Sequence, residues 1–151
     1  YIGINYYGLS VSTPRYSAII VYPEGLRELC KTLWEKYRKP IIITENGLPN
    51  RDDDQKTTFL VLHLKSVNDA ITQDGANVIG YCWWSFLPSW EFGMGMPNFG
   101  LVDVDTLGDY RRIVTQTALD YSEIIKNQGF PMRLYERCQA RRSSIRYEDW
   151  I

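Results

Sequence analysis

The sequence predicts an α/β fold in which βα units surround a parallel sheet. Two observations carry this expectation. Strand-like and helix-like segments alternate three times along the chain, at the spacing of βα units. At residues 41–44, "IIIT" is a run of β-branched residues with no polar alternation, as in a parallel strand covered on both faces. A third observation narrows the class. No strand is followed by a glycine-rich phosphate turn, and the glycines of "YIGINYYG" flank a strand without opening a helix, so a dinucleotide site is not expected. A barrel and an open doubly wound sheet both satisfy this pattern.

The elements follow in order. Ile2–Tyr7 reads as the first strand and Gly8–Tyr22 as a polar loop. A helix runs from about Pro23 to Tyr37. Pro23 suits a first helical position, where its missing N–H is not needed, and Leu26, Leu29, Leu33 and Tyr37 form one stripe. Pro40 stops that helix and launches the second strand, Ile41–Thr44. The loop "NGLPNRDDDQK" is charged and solvated, its aspartates complementing the dipole of the next helix. That helix runs from about Thr57 to Thr72, with Leu60, Leu64, Val67 and Ile71 on one face, and Gly75 suits its C-cap. Val78–Trp84 is the third strand. After the long loop "SFLPSWEFGMGMPNFG", "LVDVD" reads as a short extra strand. The last helix runs from about Arg111 to Lys126, with Val114, Ala118, Tyr121 and Ile125 on one stripe. Residues 1–130 read as the body of the fold and 131–151 as a basic, solvated C-terminal tail.

Composition limits the function classes. The chain has 151 residues, enough for one ordinary domain, and a formal net charge of -1. Balanced charge gives no electrostatic case for nucleic acid or an anionic membrane. Apolar runs fall far short of the roughly 20 residues of a membrane span. Three cysteines at irregular spacing (Cys30, Cys82 and Cys138) argue against a disulfide framework or a zinc site. Cys30 and Cys82 sit in apolar patterns and are expected in the core. No residue pattern calls for a cofactor or metal. His63, inside the second helix, reads as structural. Unpaired cysteines and the lack of a glycosylation sequon lean toward the cytoplasm, with location left open because a signal peptide would precede this stretch. The abundance of Tyr (11) and Trp (5) suits a ring-shaped ligand such as a carbohydrate, and equally a large core.

Chemistry-bearing residues collect at the carboxyl end of each strand. Asn5, Tyr6 and Tyr7 close the first; Thr44, Glu45 and Asn46 the second; Trp84, Ser85, Trp90 and Glu91 follow the third. In a barrel these ends form one face, where active sites are built. A carboxylate ending a buried strand is costly unless it is used. Glu45 among aromatic residues suits glycosidic bond cleavage, in which a carboxylate attacks the anomeric carbon of an oxocarbenium-like state. A tyrosine hydroxyl orients such a carboxylate, and aromatic faces pack on sugar rings.

"YIGINYYG", "PIIITENGLP" and "GYCWWSF…WEF…FGLVDVD" resemble the sixth, seventh and eighth strand regions of glycoside hydrolase family 1. The resemblance extends to about Asn127. It implies a (β/α)8 TIM barrel, of which this chain holds about the last three βα units, and hydrolysis of β-glycosides with retention. By that resemblance Glu45 is the nucleophile and Tyr7 its hydrogen-bond donor. Asn5 lines the site, Trp84 forms the sugar platform, and Glu91 binds hydroxyls of the nonreducing sugar. Phe92 stands where the family has a tryptophan, so it packs on a ring without donating an indole N–H. Pro88 and Ser89 replace the family's Asp-Asn. A carboxylate at Glu91 argues against phosphorylated sugars, which it would repel.

One component is missing. The retaining mechanism needs two carboxylates about 5 Å apart, and the family's acid/base lies in an Asn-Glu-Pro motif that does not occur here. The chain also opens inside a strand. It is therefore expected to be one part of a barrel, inactive alone and completed by an N-terminal part in the same or a separate chain. The readings weighed are a β-glycosidase acting on β-glucosides or oligosaccharides, a transglycosylating or sugar-binding relative, and an inactive fragment.

Overall fold

A computed structural model describes residues 1–13, 16–91 and 95–145. The chain forms two compact units, Tyr1–Asn46 with Leu62–Trp83, and Gly47–Val61 with Trp84–Ile151. Among the described residues no helix is long and apolar enough to cross a membrane.

The first unit is built on a three-stranded parallel sheet. Its strands are β1 (Ile2–Asn5), β4 (Ile41–Asn46) and β5 (Val78–Trp83), side by side in chain order. Between β1 and β4 run a hairpin, β2 (Leu9–Thr13) with β3 (Tyr16–Ile20), and the helix α1 (Pro23–Tyr37). The hairpin replaces the expected polar loop. Its Ser, Thr and Pro residues mask the short strand signal of Val11, Ile19 and Ile20, and the antiparallel pairing supplies the hydrogen bonds. β1 ends at Asn5 and β5 at Trp83, each short of the expected end.

One apolar layer decides the topology. Ile4, Ile41 and Ile43 of the sheet pack with Leu26 and Cys30 of α1 and with Val67 and Ala70 of α2 (Asp53–Thr72). Both helices thus cover the same face. A sheet that adds parallel strands in order, with every crossover on one side, is singly wound, as in a barrel; a doubly wound sheet places helices on both faces. The other face carries Gly3, Asn5 and Thr44, all exposed. The α1 stripe is Pro23, Leu26 and Cys30, with Leu29 and Leu33 partly buried, and Tyr37 is 49% exposed instead of closing the stripe. α1 ends on Arg38 in the left-handed region, and Gly75, at φ 68°, takes that conformation after α2. Arg27 grips Asp74 through two bonds of 2.6 and 3.2 Å, which hold that carboxyl below its ordinary range.

Cys82 was expected in the core and is instead exposed, because the core-packed positions of β5 are Val78 and Tyr81. Cys30 is fully buried, and burial pushes its thiol up to about 11. A raised acid pKa keeps the native thiol protonated while the unfolded one ionises, so this group's contribution to stability falls as pH rises from about 9 toward 11. Alkylation of the native chain at pH 8, read by peptide mass spectrometry, is expected to modify Cys82 first. Cys30 and Cys138 should react only on unfolding. Protection of Cys82 in a longer form of the protein would report further strands covering it.

In the second unit, α2 starts at Asp53, four residues before the expected Thr57. Asp52 Oδ1 accepts from Asp54 N at 2.9 Å, so the aspartate run caps the helix. "LVDVD" contains β6 (Val102–Val104), which pairs antiparallel with β7 (Arg112–Val114). The expected final helix therefore begins later, as α3 (Gln116–Asn127), with Thr115 Oγ1 accepting from Ala118 N at 3.1 Å. Its buried residues are Thr117 and Ile124; Val114 and Ile125 are exposed. Lys56 is fully buried, donating to the Gly100 carbonyl at 3.0 Å and paired with Asp53 at 3.3 Å. The tail contributes α4 (Met132–Ala140), with Cys138 buried.

Candidate active site

Glu45 closes β4. On an unbroken strand it would share the face of Ile41 and Ile43, and its carboxylate would enter the apolar layer under the helices, which is costly. The ladder slips instead. Ile4 pairs with Ile43, but Asn5 pairs with Glu45, which makes Thr44 the extra residue of a bulge. Bulges re-aim adjacent side chains. The burial of β4 changes phase at this point: Thr44 is exposed, Glu45 half-buried and Asn46 fully buried. Thr44 Oγ1 lies 3.0 Å from the Ile4 carbonyl and 2.6 Å from Asn5 Oδ1, which stitches the bulge to β1.

Glu45 is held from two directions. The Tyr7 hydroxyl donates to Oε2 at 2.9 Å, and the Tyr6 N–H donates to the Glu45 carbonyl at 2.9 Å. A carboxylate accepting from a phenol on one oxygen keeps a fixed orientation while its other oxygen can reach an electrophile.

Asn46 fastens the next level. Its Nδ2 donates to the Tyr6 carbonyl at 2.7 Å, and its Oδ1 accepts from the Tyr81 hydroxyl at 2.5 Å. One buried amide thus ties together the ends of all three strands. Tyr6 serves the same frame. Its hydroxyl donates to the Tyr22 carbonyl at 2.5 Å, and burial, with smaller contributions from Tyr22, Glu24 and Glu28, raises it to about 12. His63 is buried with its ring 5.9 Å from that of Tyr6, a packing position. Sequence reasoning named neither Asn46 nor Tyr81 as a support. The available signal was a polar residue at a strand end, where the only partners are backbone or other buried polar groups.

The second unit carries Trp84 and Glu91. Trp84 Nε1 donates to Glu91 Oε1 at 3.2 Å, and Ser89 Oγ donates to the same oxygen at 2.7 Å. The loop bearing them is anchored by Leu101 N to the Ser85 carbonyl at 3.0 Å and by Val102 N to the Phe86 carbonyl at 2.9 Å. Gly47 is required here: a Cβ would stand 1.9 Å from the Trp84 carbonyl oxygen. Tyr7 and Glu45 are therefore in contact in one unit, with Asn5 at the bulge beside them, and Trp84 and Glu91 are in contact in the other. Phe92 lies outside the described residues.

The profile described as Glycosyl hydrolase family 1 matches residues 8–130. The chain is 35% identical over 142 residues to the chloroplastic galactolipid galactosyltransferase of Arabidopsis thaliana, across 84% of this chain and 23% of that protein. It is 38% identical over 124 residues to β-glucosidase A of Acetivibrio thermocellus, across 74% of this chain and 27% of that one. The solved structure of the hyperthermophilic β-glucosidase of Pyrococcus furiosus superposes with a TM-score of 0.78 at 30% identity, covering 93% of this chain and 35% of that chain. The solved relatives are (β/α)8 barrels, and this chain is a partial barrel of the same kind. It spans 23% of the length of the Arabidopsis relative and 35% of the Pyrococcus chain.

Proposed function

The chain belongs to glycosyl hydrolase family 1, and from that premise we propose that it is the nucleophile-bearing part of a retaining β-glycosidase acting on β-glucosides or related sugars. The observation that carries this reading is the Tyr7 hydroxyl on Glu45 Oε2 at 2.9 Å, beside a bulge that frees the carboxylate from the apolar layer. In the proposed reaction Glu45 attacks the anomeric carbon as the glycosidic C–O bond breaks. The leaving oxygen takes a proton from a second carboxylate, supplied by an N-terminal part of the barrel beyond this chain. Water, deprotonated by that same group, then displaces Glu45 and releases the sugar. Trp84 provides the ring platform, Glu91 accepts sugar hydroxyls, Asn5 lines the site, and Phe92 is a further substrate-binding residue.

A second reading has support in the relative named a galactosyltransferase. Another sugar then takes the place of water in the last step. The two readings share the glycosyl-enzyme and differ in its acceptor.

Trapping tests the shared step. A 2-deoxy-2-fluoro β-glycoside with a good leaving group slows both steps by destabilising the oxocarbenium-like state, and the leaving group restores the first. Incubated with the intact protein, it is expected to add one fluoroglycosyl mass to the peptide carrying Glu45. The 151-residue chain alone, without the second carboxylate, is expected to turn over no substrate. A label on a different carboxylate would remove Glu45 from the nucleophile role. Product analysis with and without added sugar acceptors separates hydrolysis from transfer.

A further inference from the structure

We propose that Ser89 determines how Glu91 meets a sugar, by occupying one carboxylate oxygen and leaving the other to a single region of the substrate. The inference rests on the glycosidase reading above. Ser89 Oγ at 2.7 Å and Trp84 Nε1 at 3.2 Å both donate to Oε1. An ionised carboxylate offers about four lone-pair sites, two on each oxygen. Two donors fill those of Oε1, and among the described residues none bonds Oε2, which keeps its own for hydroxyls arriving from the substrate.

The loop that presents Ser89 is built to hold this division. Pro88 precedes it, and proline fixes its own φ. Pro88 seats directly on Gly100, where a Cβ would come 2.8 Å from Pro88 Cδ. Ser85 Oγ donates to the Leu87 carbonyl at 2.5 Å, and Glu91 N donates to the Gly95 carbonyl at 2.8 Å, so both flanks of the serine are tied down. The serine side chain is short and has little rotamer freedom to lose. Ser89 is thus a positioning residue that acts through Glu91. It favours a nonreducing sugar with an unsubstituted hydroxyl in line with Oε2.

The test uses the intact protein, Ser89→Ala and Ser89→Thr, and a panel of aryl β-glycosides lacking one hydroxyl at a time. A hydrogen bond to a charged group is worth enough that Ser89→Ala should lower kcat/KM on the fully hydroxylated sugar by about ten- to a hundredfold. Ser89→Thr, which keeps the hydroxyl, should recover most of the loss. On the deoxy sugar that lacks the hydroxyl received by Oε2, parent and Ser89→Ala should be equal, because the oriented oxygen has nothing to accept. A loss of the same size on every sugar, or no loss on any, would overturn the inference and leave the glycosidase reading intact. A parent protein that cleaves no β-glycoside would overturn the glycosidase reading and this inference with it. Ser89→Gly stands in should Ser89→Ala fail to fold.

Discussion

Replacing Glu45 by Gln in the intact protein is expected to lower kcat by about 10^4-fold, on the scale of removing one member of a catalytic unit. The substitution changes little else. Glutamine has nearly the same volume, and its amide oxygen still accepts from the Tyr7 hydroxyl that now bonds Glu45 at 2.9 Å. It loses the negative charge and the ability to leave as a carboxylate from a glycosyl-enzyme. KM should move far less than kcat. Tyr7→Phe offers a graded comparison. It keeps the carboxylate and removes one donor to a charged group, so its loss should be about ten- to a hundredfold. Steady-state kinetics on one aryl β-glycoside distinguishes the two. If Glu45→Gln retained activity within an order of magnitude of the parent, another residue would be attacking the sugar.

Asn46→Ala carries the largest expected structural penalty. Asn46 is fully buried, and both ends of its amide are in use, with the Tyr6 carbonyl at 2.7 Å and the Tyr81 hydroxyl at 2.5 Å. Alanine removes both hydrogen bonds of this buried side chain, at a cost of about 1–3 kcal/mol each. A loss of about 3–5 kcal/mol is a large share of the 5–15 kcal/mol that holds a typical domain. Tyr81→Phe removes one hydroxyl and should cost about 1 kcal/mol. Because the Tyr6 carbonyl precedes Tyr7 in the chain, Asn46→Ala should also loosen the donor to Glu45. Activity at low temperature should therefore fall while the protein is still folded. Urea midpoints for both variants, with kcat measured well below each midpoint, test the order. Equal midpoint shifts would mean that Asn46 does not join the strand ends.

The sequence by itself determined what short-range chemistry can encode. The isoleucine run made β4, Pro23 opened α1, the aspartates before residue 55 capped α2, and the stripe positions Leu26, Leu60 and Val67 are buried. The order of "NYY", "TENG" and "WWS…WEF" pointed to the candidate residues and the family. The tertiary structure decided whatever depends on pairing between distant segments. The hairpin at residues 9–20 and the β7 strand ahead of α3 exist because partner strands accept their hydrogen bonds, a fact absent from either segment alone. The choice between a singly and a doubly wound sheet rested on both helices covering one face, which strand and helix periodicities do not contain. The orientation of Glu45 depended on strand pairing as well. Simple alternation places it with Ile41 and Ile43 in the apolar layer; the slipped β1–β4 register, pinned by Thr44 and Asn46, turns it toward Tyr7. Register is a property of two strands together, and one strand's residues cannot state it.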